Sequence, residues 1–145
     1  MAQEGPLTKK VVEYSETIRK LVPSARTAED FALLEPLVAV DEFERVGTML
    51  EVQNWRQAKE MMAGWASGID RFETTVHRVS EVENLVYWEI EERHYVGDTT
   101  VVVNSLTVFA FNAEGKICHL DVFLQKAPGS TTRGQARVDR GRRAV

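Results

Sequence analysis

The sequence predicts a single α+β domain in which helices near its start pack on a curved antiparallel sheet. Three observations carry that expectation. Apolar residues recur at helical spacing in the first half of the chain, the period switches to two from residue 71 onward, and the later segments are joined by short, turn-rich connections.

The helices come first. Val11, Tyr14, Ile18 and Leu21 fall at offsets of three, four and three, one face of a helix that Thr8 would cap and Pro23 would stop. Thr27 with Asp30 makes a capping box before a second helix, in which Phe31, Leu34 and Val38 share a face and Pro36 forces a kink or an early end. Residues 40–52 mix β-branched, aromatic and charged side chains around Gly47, which predicts a bulged or partly edge strand and not a helix. Asn54 with Gln57 caps a third helix that runs from Trp55 to Gly68 and lines up Trp55, Ala58, Met62 and Trp65. The Met and Trp side chains there, Met61 included, read as packing.

Four strands follow, over 71–82, 85–96, 99–111 and 116–125. Glu83-Asn84, Gly97-Asp98 and residues 112–115 join them, so neighbours should pair as antiparallel hairpins in a meander. After Lys126 no apolar period survives. The expected organisation is one domain over 1–126 and a disordered basic tail over 127–145.

Composition narrows the function. With 145 residues, 43% hydrophobic and 28% charged, the chain can bury a core without disulfides or a structural metal. Its apolar runs fall short of the roughly 18–20 residues that span a bilayer, and its start lacks the apolar stretch of a secretion signal, so a cytoplasmic location and no membrane partner are expected. Cys118 is the lone cysteine, with no partner for a disulfide or a zinc site. There is no Gly-rich phosphate loop and no nucleophile elbow, and no cofactor or metal is expected. The net charge of −4 hides an asymmetry: five arginines against Asp139 give the last nineteen residues +4, leaving −8 elsewhere. An acidic body makes a poor nucleic-acid surface.

Strand alternation orients side chains without coordinates. In 85–96 the even positions Val86, Trp88, Ile90, Glu92, His94 and Val96 form the apolar face, and in the last strand Cys118, Leu120, Val122 and Leu124 do so, with His119, Asp121 and Gln125 outside. Glu92 and His94 are the anomaly on that inner face. Burying an unpaired carboxylate costs several kcal/mol, so either the strand end frays into solvent or the two residues form a polar patch at the mouth of an apolar pocket. In the second case they could move protons near neutral pH. Arg45 could pair with a buried Glu92, and His77 reads as exposed or satisfied.

Two helices, a strand, a helix and a meander ending in SLTVFAFNAEGKICHLDVFLQ resemble the nuclear-transport-factor-two-like and SnoaL-like proteins, a group that includes ketosteroid isomerases, polyketide cyclases and limonene epoxide hydrolases. The resemblance covers residues 8–126. Its sharpest pieces are the turn FNAEGKI and the stretch FETTVHRVSEVENLVYWEIEE, which is similar to strands of limonene epoxide hydrolase. It implies a cystatin-like, cone-shaped sheet wrapped around the N-terminal helices.

It also implies site residues. Glu92 stands where the hydrolases have a catalytic aspartate, but Ile90 replaces the expected arginine and Val122 the second aspartate, so the water-activating triad is incomplete. Against the isomerases, the general base falls near Arg45 and the oxyanion-hole acid near Thr107, and neither role transfers to those side chains. What remains is a pocket lined by Phe43, Trp65, Trp88, Ile90, Thr107, Leu120 and Val122. The expected function is a small-molecule enzyme doing cofactor-free acid/base chemistry of the isomerase, dehydratase, cyclase or epoxide hydrolase type on an apolar, oxygenated ligand. Glu92 would be base or acid, His94 would tune it, and Arg45 would hold an oxyanion or orient the acid. The alternative is a non-catalytic ligand-binding or dimerisation module, whose outer sheet face, with Tyr87, Tyr95, Phe109 and Phe111, would pack in a homodimer.

Overall fold

The first helix, α1, covers Pro6–Leu21 and starts two residues before Thr8. In this computed structural model, which describes residues 5–128, Gly5 is the N-cap and Pro6 occupies the first turn, where its missing N–H costs nothing. Thr8 instead lies buried inside the helix. Its amide and hydroxyl donate to Glu81 at 2.8 and 2.7 Å, and the Leu7 amide adds a third bond at 3.3 Å. A carboxylate from a distant strand thus caps this helix. Burial pushes the Glu81 carboxyl up, but those three donors outweigh it and hold it below its ordinary value.

The second helical segment, Ala28–Leu37, is a 3₁₀ helix rather than an α-helix. Asp30 accepts from the Arg26 and Thr27 amides at 2.8 and 3.0 Å, as the capping box predicts, and Phe31 and Leu34 are fully buried. Three-residue spacing suits the tighter turn. Residues 40–52 are not one bulged strand. They form a two-stranded ribbon, β1 (Glu44–Val46) and β2 (Val52–Gln53), turned through Leu50 at a φ of 65°. Helix α2, Trp55–Ser67, carries the predicted reciprocal cap between Asn54 and Gln57. Glu35 of the 3₁₀ helix accepts from Trp55 Nε1 at 3.0 Å and Lys59 Nζ at 2.8 Å, which fixes α2 beside it.

The meander forms as expected: β3 (Arg71–Val82), β4 (Leu85–Val96), β5 (Thr99–Phe111) and β6 (Ile117–Gln125) pair as successive antiparallel neighbours. The whole sheet runs β2-β1-β6-β5-β4-β3, and β1 joins β6 in parallel, so the sheet is mixed and not purely antiparallel. Register shifts at 76/78 in β3 and 110/111 in β5 bend it, and His77 is exposed at the first of them. The helices fill the concave side, where Val11, Phe31, Leu34, Val86 and Ile117 are completely shielded from solvent. No helix among the described residues is long and apolar enough to cross a membrane. The tail beyond residue 128 lies outside the described residues, so its expected disorder does too.

Candidate functional site

Successive side chains on one face of a strand stand two residues apart, so the paired strands can be read as rows across the sheet. One row joins Arg45 of β1, Leu120 of β6, Phe109 of β5 and Val86 of β4. The next joins Val122, Thr107 and Trp88, and the one after it Leu124, Ser105 and Ile90. Beyond those lie Val103 beside Glu92, then Val101 beside His94. Between these rows and helices α1 and α2 lies a cavity of about 470 Å³, the size of a small-molecule pocket.

Most of its wall is apolar. Ser15, Ser105, Thr107 and Lys126 also border it, and two places hold its remaining polar groups. At one, Glu92 Oε1 lies 2.9 Å from His94 Nε2, and both side chains are largely shielded, at 18% and 17% exposure. The strand end has not frayed: β4 continues to Val96, paired on both sides. His94 also meets the Trp65 and Phe72 rings edge-on, at centroid distances of 5.7 and 5.3 Å. These aromatic contacts confine the imidazole while its Nε2 faces the carboxylate. Such a pair can hold one proton between them and pass it to or from a bound molecule.

At the other place stand Tyr14 and Arg45. Tyr14 projects from α1 against Phe109, edge to face at 5.7 Å, and its ring is 6% exposed. Burial pushes the phenol well above its ordinary value near 10, against the Arg45 guanidinium, which pulls the other way. Sequence reading placed Tyr14 in the core, because a helical apolar face looks the same whether it meets packed side chains or a cavity. The signal that could have separated the two cases is the hydroxyl, which needs a partner when buried.

Arg45 does not pair with Glu92. It sits on β1, three strands away, and its Nη1 reaches Gln53 Oε1 at 3.2 Å and Glu51 Oε2 at 3.7 Å. Gly47 makes room for this cluster: a Cβ there would collide with the Glu51 carboxylate and stand 2.9 Å from Arg45 Nη1. Arg45 therefore cannot orient or neutralise the acid at Glu92, and only a ligand could join them.

Of the predicted lining residues, Trp65, Trp88, Ile90, Thr107, Leu120 and Val122 all border the cavity. Phe43 does not. It packs edge-on against Trp55 at 5.0 Å, behind the wall and 4% exposed. Met61, read as packing, does border the cavity, as does Ser105, a buried hydroxyl at 4% exposure. Phe109 and Phe111 were assigned to the outer face but are buried on the inner one, at 4% and 2%. His119 and Asp121 do pair, at 3.1 Å, with Glu44 on the other imidazole nitrogen at 3.2 Å, but on the outer face. Among the described residues no group of three or more His, Cys, Asp or Glu side chains could hold a metal ion.

The raised phenol has a consequence for stability. A folded state that favours the neutral phenol keeps its full stability below about pH 10, the group's ordinary value, and loses it as pH rises beyond. Between pH 8 and pH 10.5, urea denaturation is expected to show a smaller loss for Tyr14→Phe than for the native chain. Equal losses would mean that the hydroxyl is not buried.

No protein-family profile matches this chain, and no curated protein does. Solved structures do. An NTF2-like protein from Anabaena variabilis superposes with a TM-score of 0.67 at 14% identity, over 87% of this chain and 95% of that one. A putative SnoaL-like polyketide cyclase from Shewanella putrefaciens gives 0.66 at 10% identity, over 83% and 80%. An LEH-like epoxide hydrolase from M. tuberculosis gives 0.60 at 16% identity, over 83% and 86%. Identities this low carry the architecture and not the chemistry. The helix order, the mixed curved sheet and these superpositions together give the chain the α+β cone fold of the SnoaL-like and nuclear-transport-factor-two-like proteins.

Proposed function

We propose that the chain is a cytoplasmic small-molecule enzyme that performs cofactor-free acid/base chemistry on a largely apolar, oxygenated substrate. Isomerisation, dehydration, cyclisation and epoxide opening all belong to this class. One observation carries the reading: a carboxylate and an imidazole 2.9 Å apart, both largely shielded, in the wall of an otherwise apolar cavity. Glu92 is the proton acceptor or donor, and His94 shares the proton and sets the carboxylate's geometry. Tyr14, at the other end of the cavity, supplies a neutral donor that can bind a substrate oxygen away from the reacting centre. The neighbours' printed descriptions, a polyketide cyclase and an epoxide hydrolase among them, support a pocket of this kind.

A second reading, a non-catalytic module that dimerises through its sheet, has one observation in its favour. Tyr87, Val102 and Phe123 project from the outer face at 39%, 45% and 56% exposure. Native mass spectrometry of gently purified protein separates the two. A co-purifying apolar, oxygenated compound is the result expected of the enzyme, whereas an empty dimer that turns over nothing in a panel of such compounds would favour the module.

A further inference from the structure

The geometry points to a substrate that carries a carboxylate: we propose that the cavity takes an elongated apolar carboxylic acid, its carboxylate held by Arg45 and Tyr14 and its far end presented to Glu92 and His94. This rests on the reading of the cavity as a small-molecule site. It adds the chemical class of the molecule and its direction in the pocket.

Hydrogen-bond accounting at the Arg45 end leads there. Both contacts of the guanidinium, to Gln53 and to Glu51, use Nη1, so Nη2 and Nε have no partner among the described residues. Glu51 does not complete the pair. Its Oε1 accepts the Met49 amide at 2.9 Å, its side chain is 46% exposed, and its Oε2 stops 3.7 Å short of Arg45. Arg45 itself is 17% exposed and borders the cavity, so its remaining donors are open to a molecule bound there. In the same cavity wall, the Tyr14 hydroxyl is buried and has no hydrogen-bond partner among the described residues. These donors, one of them a cation, border a cavity in whose wall the carboxylate among the described residues, Glu92, lies three strands away. A carboxylate supplies two acceptor oxygens and a charge in the planar geometry a guanidinium binds best.

The distance between the two polar places sets the shape. Arg45 belongs to the row that contains Phe109 and Val86, Tyr14 packs on Phe109 from α1, and Glu92 is six residues farther along β4, about 20 Å of extended strand. Trp88, Ile90 and Val122 line the interval, with the hydroxyls of Thr107 and Ser105 between them. A compact polar molecule cannot touch both ends. An extended hydrocarbon body with an acid at one end and a reactive oxygenated centre toward the other can.

Trp65 and Trp88 in the cavity wall make tryptophan fluorescence a direct reporter. Titration of the full chain at pH 8 with decanoate and with decan-1-ol compares an anion with a neutral molecule of the same body. Decanoate is expected to bind at least tenfold more tightly. Arg45→Met should bring the two within threefold of each other with the decanol affinity unchanged, which also certifies that the cavity has folded. Arg45→Lys should keep part of the preference, and Tyr14→Phe should weaken decanoate severalfold. Equal binding of acid and alcohol by the native chain, or a preference that survives Arg45→Met, overturns the carboxylate site while leaving the pocket in place. If neither compound binds, the carboxylate site and the apolar pocket both fall.

Discussion

Glu92→Gln is expected to lower turnover by roughly 10²- to 10⁴-fold, the usual share of a positioned general acid or base. Glutamine keeps the side chain's length and can still hydrogen-bond the His94 ring, so the wall of the cavity and its affinity for ligand should hardly change. What glutamine cannot do is take or give a proton. Parallel measurement of kcat and of ligand dissociation therefore isolates the chemistry from the binding. Unchanged turnover in the variant would remove Glu92 from the mechanism, and loss of ligand affinity in the same proportion would make it a binding group. His94→Gln should give a smaller loss, because the imidazole positions the carboxylate and is not the group that takes the proton from the substrate or gives it.

Phe31→Ala is expected to give the largest loss of stability, about 3–5 kcal/mol. Phe31 is completely shielded, on a 3₁₀ helix whose backbone is already held by Asp30 at one end and by the Glu35 contacts to α2 at the other. The atoms around it have little freedom to collapse into the vacated volume, so transfer and cavity costs add. Urea denaturation at neutral pH reads the difference as a shift in midpoint at constant slope. Trp65→Ala provides the contrast. Trp65 is a larger side chain, yet it is only partly buried and one side of it borders an existing cavity, so its removal should cost less. A greater loss for Trp65 than for Phe31 would mean that the cavity is filled and packed rather than open.

The fold and part of the site could be read from residue order because both rest on local periods. A strand alternates sides every residue whatever it pairs with, so Trp88, Ile90, Glu92 and His94 had to share one face of β4, and the apolar members of that face had to turn inward. Short turns with Gly97-Asp98 or Glu83-Asn84 leave the chain no length to do anything but reverse, so the order and direction of β3 to β6 follow as well. The same local logic gave out at residues 40–52. Charged and β-branched residues there fit a bulged strand or a short ribbon equally, and the pairing of β1 with β6, which selects the ribbon and makes the sheet mixed, joins segments more than seventy residues apart.

The sequence by itself thus determined the α+β class, the meander, the caps at Thr27 and Asn54, and the inward placement of Glu92 and His94. Only the tertiary structure decided how those faces were used. It put Arg45 three strands from Glu92, packed Phe43 against Trp55, turned Phe109 and Phe111 to the inner face after the strand's register was set, and left Tyr14 and Arg45 bordering the same cavity. The physical reason is common to all four. Periodicity reports which side of its own element a side chain leaves from, while what it meets there depends on elements brought alongside from elsewhere in the chain. A cavity is the extreme case, since it is made of the contacts that packing omits, and no single segment carries a record of them.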